Sequence, residues 1–243
     1  MAGTLLNVVS VVVGATAGVV LGDRLPERVR RTVMDALGLF TLLLGVAGGL
    51  DAFGRPLARA VGRAAVLVVV GSAVCGGVLG EVLDLEGRLE RLGRRLRDAR
   101  AAVGGGADGA DSRFVEGFVV ASLVFCVGPL TVLGAVRDGL RGDYELLAIK
   151  SLLDGFASLA FASTLGAGVG FAALTVLVVQ GGISLAAARL DPVLTAPGLA
   201  AMNAVGGLLV MGIGLRLLDV RRVRVTNLLP GLGLAPLAVA LWP

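Results

Sequence analysis

The sequence predicts an all-α fold, a polytopic membrane helix bundle of about eight transmembrane helices with inverted internal repeats. Three observations predict it. Of 243 residues, 56% are apolar and only 16% charged, and a mean hydropathy of +0.90 is too high for a chain that must keep a polar surface in water. The apolar residues fall in runs of about 20, the length that crosses roughly 30 Å of hydrocarbon at 1.5 Å per residue. Two sets of runs also resemble each other in sequence.

Taken in order, the runs cover residues 3–22, 33–51, 62–80, 114–136, 146–166, 169–189, 198–218 and 226–242, the last being the shortest. Buried strands of an α/β protein are apolar over only about 4 to 8 residues, so these runs are too long for that reading. Glycines recur within them at four-residue spacing, as Gly14/Gly18/Gly22, Gly45/Gly49 and Gly76/Gly80. That spacing puts small residues on one helix face and lets helices approach closely in lipid. The first run is expected to be retained, because MAGTLLNVV lacks a basic n-region and the apolar stretch outruns a signal sequence. The chain then divides into helices one to three within 1–80, a polar segment at 81–112, a central helix pair at 113–168 and helices six to eight within 169–243.

In the polar segment, Leu85, Leu89, Leu92 and Leu96 make one apolar stripe, while Arg88, Arg91, Arg94, Arg95 and Arg97 occupy the other faces. The pattern predicts an amphipathic helix over 82–100, lying on an anionic membrane surface. A coiled coil to another subunit is the rival reading, although barely two heptads are present. GGGADGAD, residues 104–111, then reads as a flexible linker.

A net charge of +4 invites a nucleic-acid reading, but its distribution opposes one. Under eight crossings, the odd-numbered loops hold fifteen of the 22 basic residues, which predicts that those loops are cytoplasmic and both termini outside. Histidine is absent, which removes the commonest general base and metal ligand. Cys75 and Cys126 both fall within apolar runs and suggest neither a disulfide framework nor a metal cluster. No phosphate-cradling loop and no nucleophile–base set occurs, so neither enzyme activity nor a cofactor is expected, nor any metal beyond Na⁺.

Internal similarity appears twice. At an offset of 168, MDALG (34–38) lies opposite MNAVG (202–206), Gly14 opposite Gly182 and Asp51 opposite Asp219. EGFVVASLVFCVG (116–128) lies opposite DGFASLAFASTLG (154–166), each an acid, Gly, Phe, nine residues and Gly. Both pairings join runs separated by an odd number of crossings, the arrangement of inverted repeats in transporters.

The candidate chemistry starts from Glu116 and Asp154, placed near the starts of spans four and five. A charge within the hydrocarbon is costly, about 2.5 to 3.5 kcal/mol at a helix centre, and usually faces a cavity, a cation or a partner. The plainer reading has each acid favoured by a helix N-terminus, with Lys150 neutralising Asp154 from four residues away. Ser151, Asp154 and Ser158 share one helical face, and Ser122 and Cys126 form a four-residue pair. Their oxygens suit a hard cation, yet serines also cross-link membrane helices. Gly128-Pro129 interrupts span four and would free backbone carbonyls, or simply kink the helix. Asn7, Asp35, Gln180, Asn203 and Asn227 are further polar points, Asp35 and Asn203 being mates in the repeat.

The chain resembles the YqgA/YdfK-like bacterial membrane proteins, a domain of unknown function. The likeness is carried by GTLLN (3–7), RFVEGFVVASLVFCVGPLTVLGAVRDGL (113–140), KSLLDGFASLAFASTLG (150–166) and VTNLLP (225–230). It implies a multi-pass protein of the bacterial inner membrane with a proposed sodium channel or pump role. The resulting expectation is a protein that conducts or transports a small monovalent cation, Na⁺ first. Glu116 and Asp154 would stand at opposite entrances, while Ser122, Ser158 and the carbonyls near Gly128-Pro129 replace hydration. A carrier of small organic solutes, or a membrane scaffold docking partners through 82–100, are the alternatives. The bilayer is the expected partner, and small-residue faces suggest a homodimer.

Overall fold

The computed structural model describes residues 1–22, 25–102, 111–190 and 195–242. Every regular element among them is helical: α1 (Ala2–Gly22), α2 (Glu27–Gly49), α3 (Arg55–Val61), α4 (Ala65–Val82), α5 (Leu85–Ala102), α6 (Asp111–Cys126), α7 (Pro129–Arg141), α8 (Glu145–Leu165), α9 (Gly168–Leu185), α10 (Ala187–Leu190), α11 (Ala196–Leu217) and α12 (Pro230–Ala240). Short 3₁₀ turns cover Leu50–Phe53, Gly62–Ala64 and Val225–Leu228.

Five helical stretches are long and apolar enough to cross a membrane: Ala2–Gly22, Glu27–Val82, Glu145–Leu165, Gly168–Leu185 and Ala196–Leu217. A sixth is the pair Arg113–Cys126 and Leu130–Arg141, bent by 63°. The difference from eight runs has two physical causes. Spans 33–51 and 62–80 are joined by α3 and its 3₁₀ flanks into one nearly continuous helical stretch, and the run at 226–242 folds as a 3₁₀ turn plus a short apolar helix. Large apolar side chains such as Leu43, Leu67, Phe156 and Val178 lie on the outside, where a membrane-embedded protein contacts lipid.

The described residues cluster into two compact units that interleave in sequence, so the blocks 1–80 and 169–243 each contribute to both. The first comprises Met1–Leu37, Gly87–Cys126 and Leu130–Ala187. Its spine is α1 against α8. A Cβ on Gly14, Gly18 or Gly22 would overlap the backbone of Gly155, Leu159 or Ser163, so the glycine ladder is what lets the two backbones touch. Residue numbers rise together along that contact, so α1 and α8 run parallel. The α6 helix packs on α9 through Phe114 and Phe171, whose rings are 5.3 Å apart, and through the hydrogen bond from Ser122 Oγ to Thr175 Oγ1 at 3.0 Å.

The second unit comprises Gly38–Glu86, Val127–Pro129 and Ala188–Pro243. Here Gly45 and Gly207 bring α2 against α11, and Gly76 and Gly80 bring α4 against α12 and the 3₁₀ turn before it. Both contacts run antiparallel, since residue numbers fall on one helix as they rise on the other.

The amphipathic helix expected over 82–100 is α5. Leu85, Leu89 and Leu96 are half-buried while Leu92 is 39% exposed, because the closest approach is made by buried Gly93, which faces Phe118 and Val115 of α6. The GGGADGAD linker lies almost wholly outside the described residues.

A buried polar cluster as the candidate functional site

Four polar side chains of α8 emerge on one face, because Lys150, Ser151 and Ser158 each stand three or four residues from Asp154 along the sequence. That face turns inward. Lys150 is 6% exposed, Asp154 8%, Ser151 2% and Ser158 fully buried. Opposite them α1 brings Thr4 and Asn7, and α9 brings Gln180, all three fully buried.

Two of the hydrogen bonds converge on one atom, Asp154 Oδ2. Asn7 Nδ2 donates to Asp154 Oδ2 at 2.9 Å and to Gln180 Oε1 at 3.0 Å, and the Lys150 ammonium donates to the same Asp154 Oδ2. Ser10 Oγ donates to the carbonyl of Ser151 and Ser151 Oγ to that of Leu147, each at 2.6 Å, which ties α1 to α8 beside the cluster. Within these three helices, the buried atoms Asn7 Oδ1, Gln180 Nε2, Thr4 Oγ1 and Ser158 Oγ have no hydrogen-bond partner among the described residues. A buried ammonium–carboxylate pair is formally neutral and so bearable at low dielectric, whereas unmatched amide and hydroxyl groups each carry a desolvation cost. The cluster is therefore a polar site with spare capacity, mostly of acceptor oxygens.

The sequence-based candidates divide. Lys150, Ser151, Asp154, Ser158, Asn7 and Gln180 come together. Asp154, expected near a helix start at an entrance, lies instead midway along α8, because the helix already begins at Glu145. Glu116 is half-buried near the start of α6, where neighbouring Gly117 approaches Leu165 at the far end of α8. Leu165 is roughly 16 Å along the helix from Asp154 at 1.5 Å per residue, so the two acids do not share a site. Ser122 is committed to Thr175, and Cys126 is a half-buried free thiol at the end of α6. The interruption at Gly128-Pro129 is a break between α6 and α7, where Gly128 adopts φ +148°, and Thr131 Oγ1 donates at 3.1 Å to the carbonyl of Phe125. Asp35 is exposed on α2, and its repeat mate Asn203 hydrogen-bonds Asp51 within the second unit.

Sequence reasoning missed Thr4 and Asp138. Asp138 on α7 is 3% exposed, accepts from the backbone N–H of Gly3 at 3.2 Å and faces the Met1 amine at 2.9 Å, so a remote carboxylate caps α1. Asp138 falls just past an apolar run, where an acid looks like a loop residue; no local signal marks its burial. The second unit has its own polar knot: Asn227 accepts from Glu86 N–H at 2.8 Å and donates to Glu81 Oε2 at 2.6 Å, while Glu86 holds Arg216 at 3.0 Å and the Thr226 N–H at 2.9 Å.

Comparison with known proteins agrees with this architecture in kind. The family described as "Protein of unknown function (DUF554)" matches residues 2–240. The chain is 30% identical over 239 residues to the "Uncharacterized membrane protein YdfK" of Bacillus subtilis (strain 168), covering 98% of this chain and 96% of that protein. It is 30% identical over 247 residues to the "Uncharacterized protein YqgA" of Escherichia coli (strain K12), covering 99% and 97%. No solved structure matches the chain.

Proposed function

We propose that this chain, which belongs to the DUF554 family of proteins of unknown function, is a membrane transport protein that moves a small monovalent cation, Na⁺ first, by way of Asp154. The observation that carries the reading is the convergence of Lys150 and Asn7 on one carboxylate, with Gln180 accepting from the same Asn7 amide, deep among helices long enough to span a bilayer. Ionisable groups held at such depth are costly, and the usual compensation is a role in moving charge.

The chemistry follows from counting charge. Asp154 carries one negative charge and Lys150 one positive, and only a neutral site is stable at low dielectric. An entering Na⁺ replaces the ammonium at Asp154 Oδ2 and takes the unmatched oxygens of Asn7 and Ser158 as further ligands, since hard cations prefer oxygen. Lys150 then has no counter-charge, so the loaded site is neutral only if its amine gives up a proton. Cation binding and proton release are thereby linked, which favours an ion-exchanging carrier over an open channel. On this reading the stretches 116–128 and 154–166 are unequal, and Asp154 alone carries the site. The basic segments at 24–31, 88–113 and 216–224 face the cytoplasm of a bacterial inner-membrane protein, as the charge bias predicts.

Flux of Na⁺, K⁺ and H⁺ in proteoliposomes tests this. Asp154→Asn is expected to lower Na⁺ flux at least 100-fold, and Glu116→Gln by less than threefold. Undiminished flux in Asp154→Asn, in protein that melts like the unmodified chain, would sink the reading.

A further inference from the structure

Two cavities of the first unit share a wall. One is an apolar groove of about 420 Å³ between α1 and α9, lined by Val12, Ala15, Thr16, Val19, Phe171 and Leu174 among others. The other is a pocket of about 90 Å³ that takes in Arg30, Arg113, Ser163 and Gly166. Val19 lines both, and Gly166 of the pocket adjoins Ala167 of the groove in the chain.

The pocket is cationic by construction. Arg30 donates from Nε at 3.2 Å and from Nη2 at 2.5 Å to the carbonyl of Gly22, the last residue of α1. That contact fixes the guanidinium and leaves its other N–H groups for a ligand. Ser163 and Thr164 spend their hydroxyl protons on the carbonyls of Ala160 at 2.8 Å and Phe161 at 3.0 Å, so the side-chain donors that remain among the described residues are those of Arg30 and Arg113. Among the described residues, no carboxylate lines the pocket. Its position at the ends of α1 and α8, two spanning helices, puts it at headgroup depth rather than midplane.

We propose that the two cavities together bind one anionic phospholipid, with an acyl chain along the groove and the phosphate between Arg30 and Arg113. Two guanidiniums match a phosphate by charge and by fork geometry. An apolar groove opening directly beside them selects a ligand that has both a charged head and a hydrocarbon tail, which free phosphate lacks.

The test uses the purified full-length protein in mild detergent, stripped of lipid and then offered phosphatidylglycerol and phosphatidylethanolamine at equal concentration, with bound lipid counted by native mass spectrometry. At least a tenfold preference for phosphatidylglycerol is expected. Arg113→Gln, a change at an exposed side chain, should reduce the preference several-fold, and Arg30→Gln combined with it should abolish it. Thr16→Trp, which fills the groove with both arginines intact, should lower total lipid retention. Excess inorganic phosphate should not displace the lipid. No preference in the unmodified protein, a preference that survives Arg113→Gln, retention that survives Thr16→Trp, or full displacement by inorganic phosphate each overturns the proposal. None of these readouts depends on ion flux, so the result stands apart from the transport reading.

Discussion

At Asp154, one carboxylate oxygen accepts from two donors on different helices, only one of them charged, and this inequality makes the pair separable by mutation. Lys150→Met leaves a buried carboxylate without its counter-charge, and removing one partner of a buried pair costs about 3 to 5 kcal/mol. Removing both, as Lys150→Met with Asp154→Leu, should recover most of that loss, which a double-mutant cycle of unfolding in detergent would measure. If Asp154 is the cation site, Na⁺ should also raise the melting temperature of Lys150→Met more than that of the unmodified protein, because a ligand that binds only the folded state stabilises it by mass action. An identical Na⁺ response in both proteins would show that the ammonium and the metal ion do not compete. The sequence made part of this site legible: Lys150, Asp154 and Ser158 follow helical spacing, and Asn7 and Gln180 stand out as amides in apolar runs. It did not show that those amides meet Asp154, because α1, α8 and α9 are brought together by contacts more than a hundred residues apart for α1.

Among the elements, the glycines that permit contact differ from those that do not. The four-residue spacing announced a close-packed face on α1 but not its partner, since glycine carries no side chain to complement and many faces of α8 are equally small. Gly18→Leu should separate α1 from α8, because a Cβ there already overlaps the carbonyl of Leu159 and the side chain of Ala162. The expected outcome is loss of the folded protein in detergent, read by size-exclusion chromatography and melting. Gly71→Ala on α4 meets nothing within 4 Å and should be neutral or stabilising by up to about 1 kcal/mol, since alanine is the better helix former. The break between α6 and α7 was legible for a similar reason: proline removes a backbone donor, and the glycine before it takes φ +148°, where a Cβ is strained. Gly128→Ala should therefore cost about 1 to 3 kcal/mol of stability even though no atom crowds that Cα.

For the whole molecule, composition and run length sufficed for the all-helical membrane architecture, because lipid leaves the backbone few ways to satisfy its own hydrogen bonds. The division into two interleaved units was not visible. Hydropathy reports which residues avoid water and is silent on which runs choose each other, a choice made by small-residue fit and by buried polar partners. The second unit shows how such partners act. The C-terminal 3₁₀ turn is held by Asn227, which accepts from Glu86 N–H and donates to Glu81, and by Glu86, which accepts from Thr226 N–H. Asn227→Ala removes both amide bonds at once and leaves Glu86 N–H without its acceptor. Amide hydrogen exchange should then quicken about tenfold or more at Glu86 and Thr226, where each 1.4 kcal/mol of lost protection is a factor of ten. Exchange around Asn7, Lys150 and Asp154 should stay unchanged, since those residues belong to the other unit. Equal acceleration in both sets would mean that the two units open as one cooperative body, and that the polar knot around Asn227 stabilises the Asp154 cluster as much as it does its own helices.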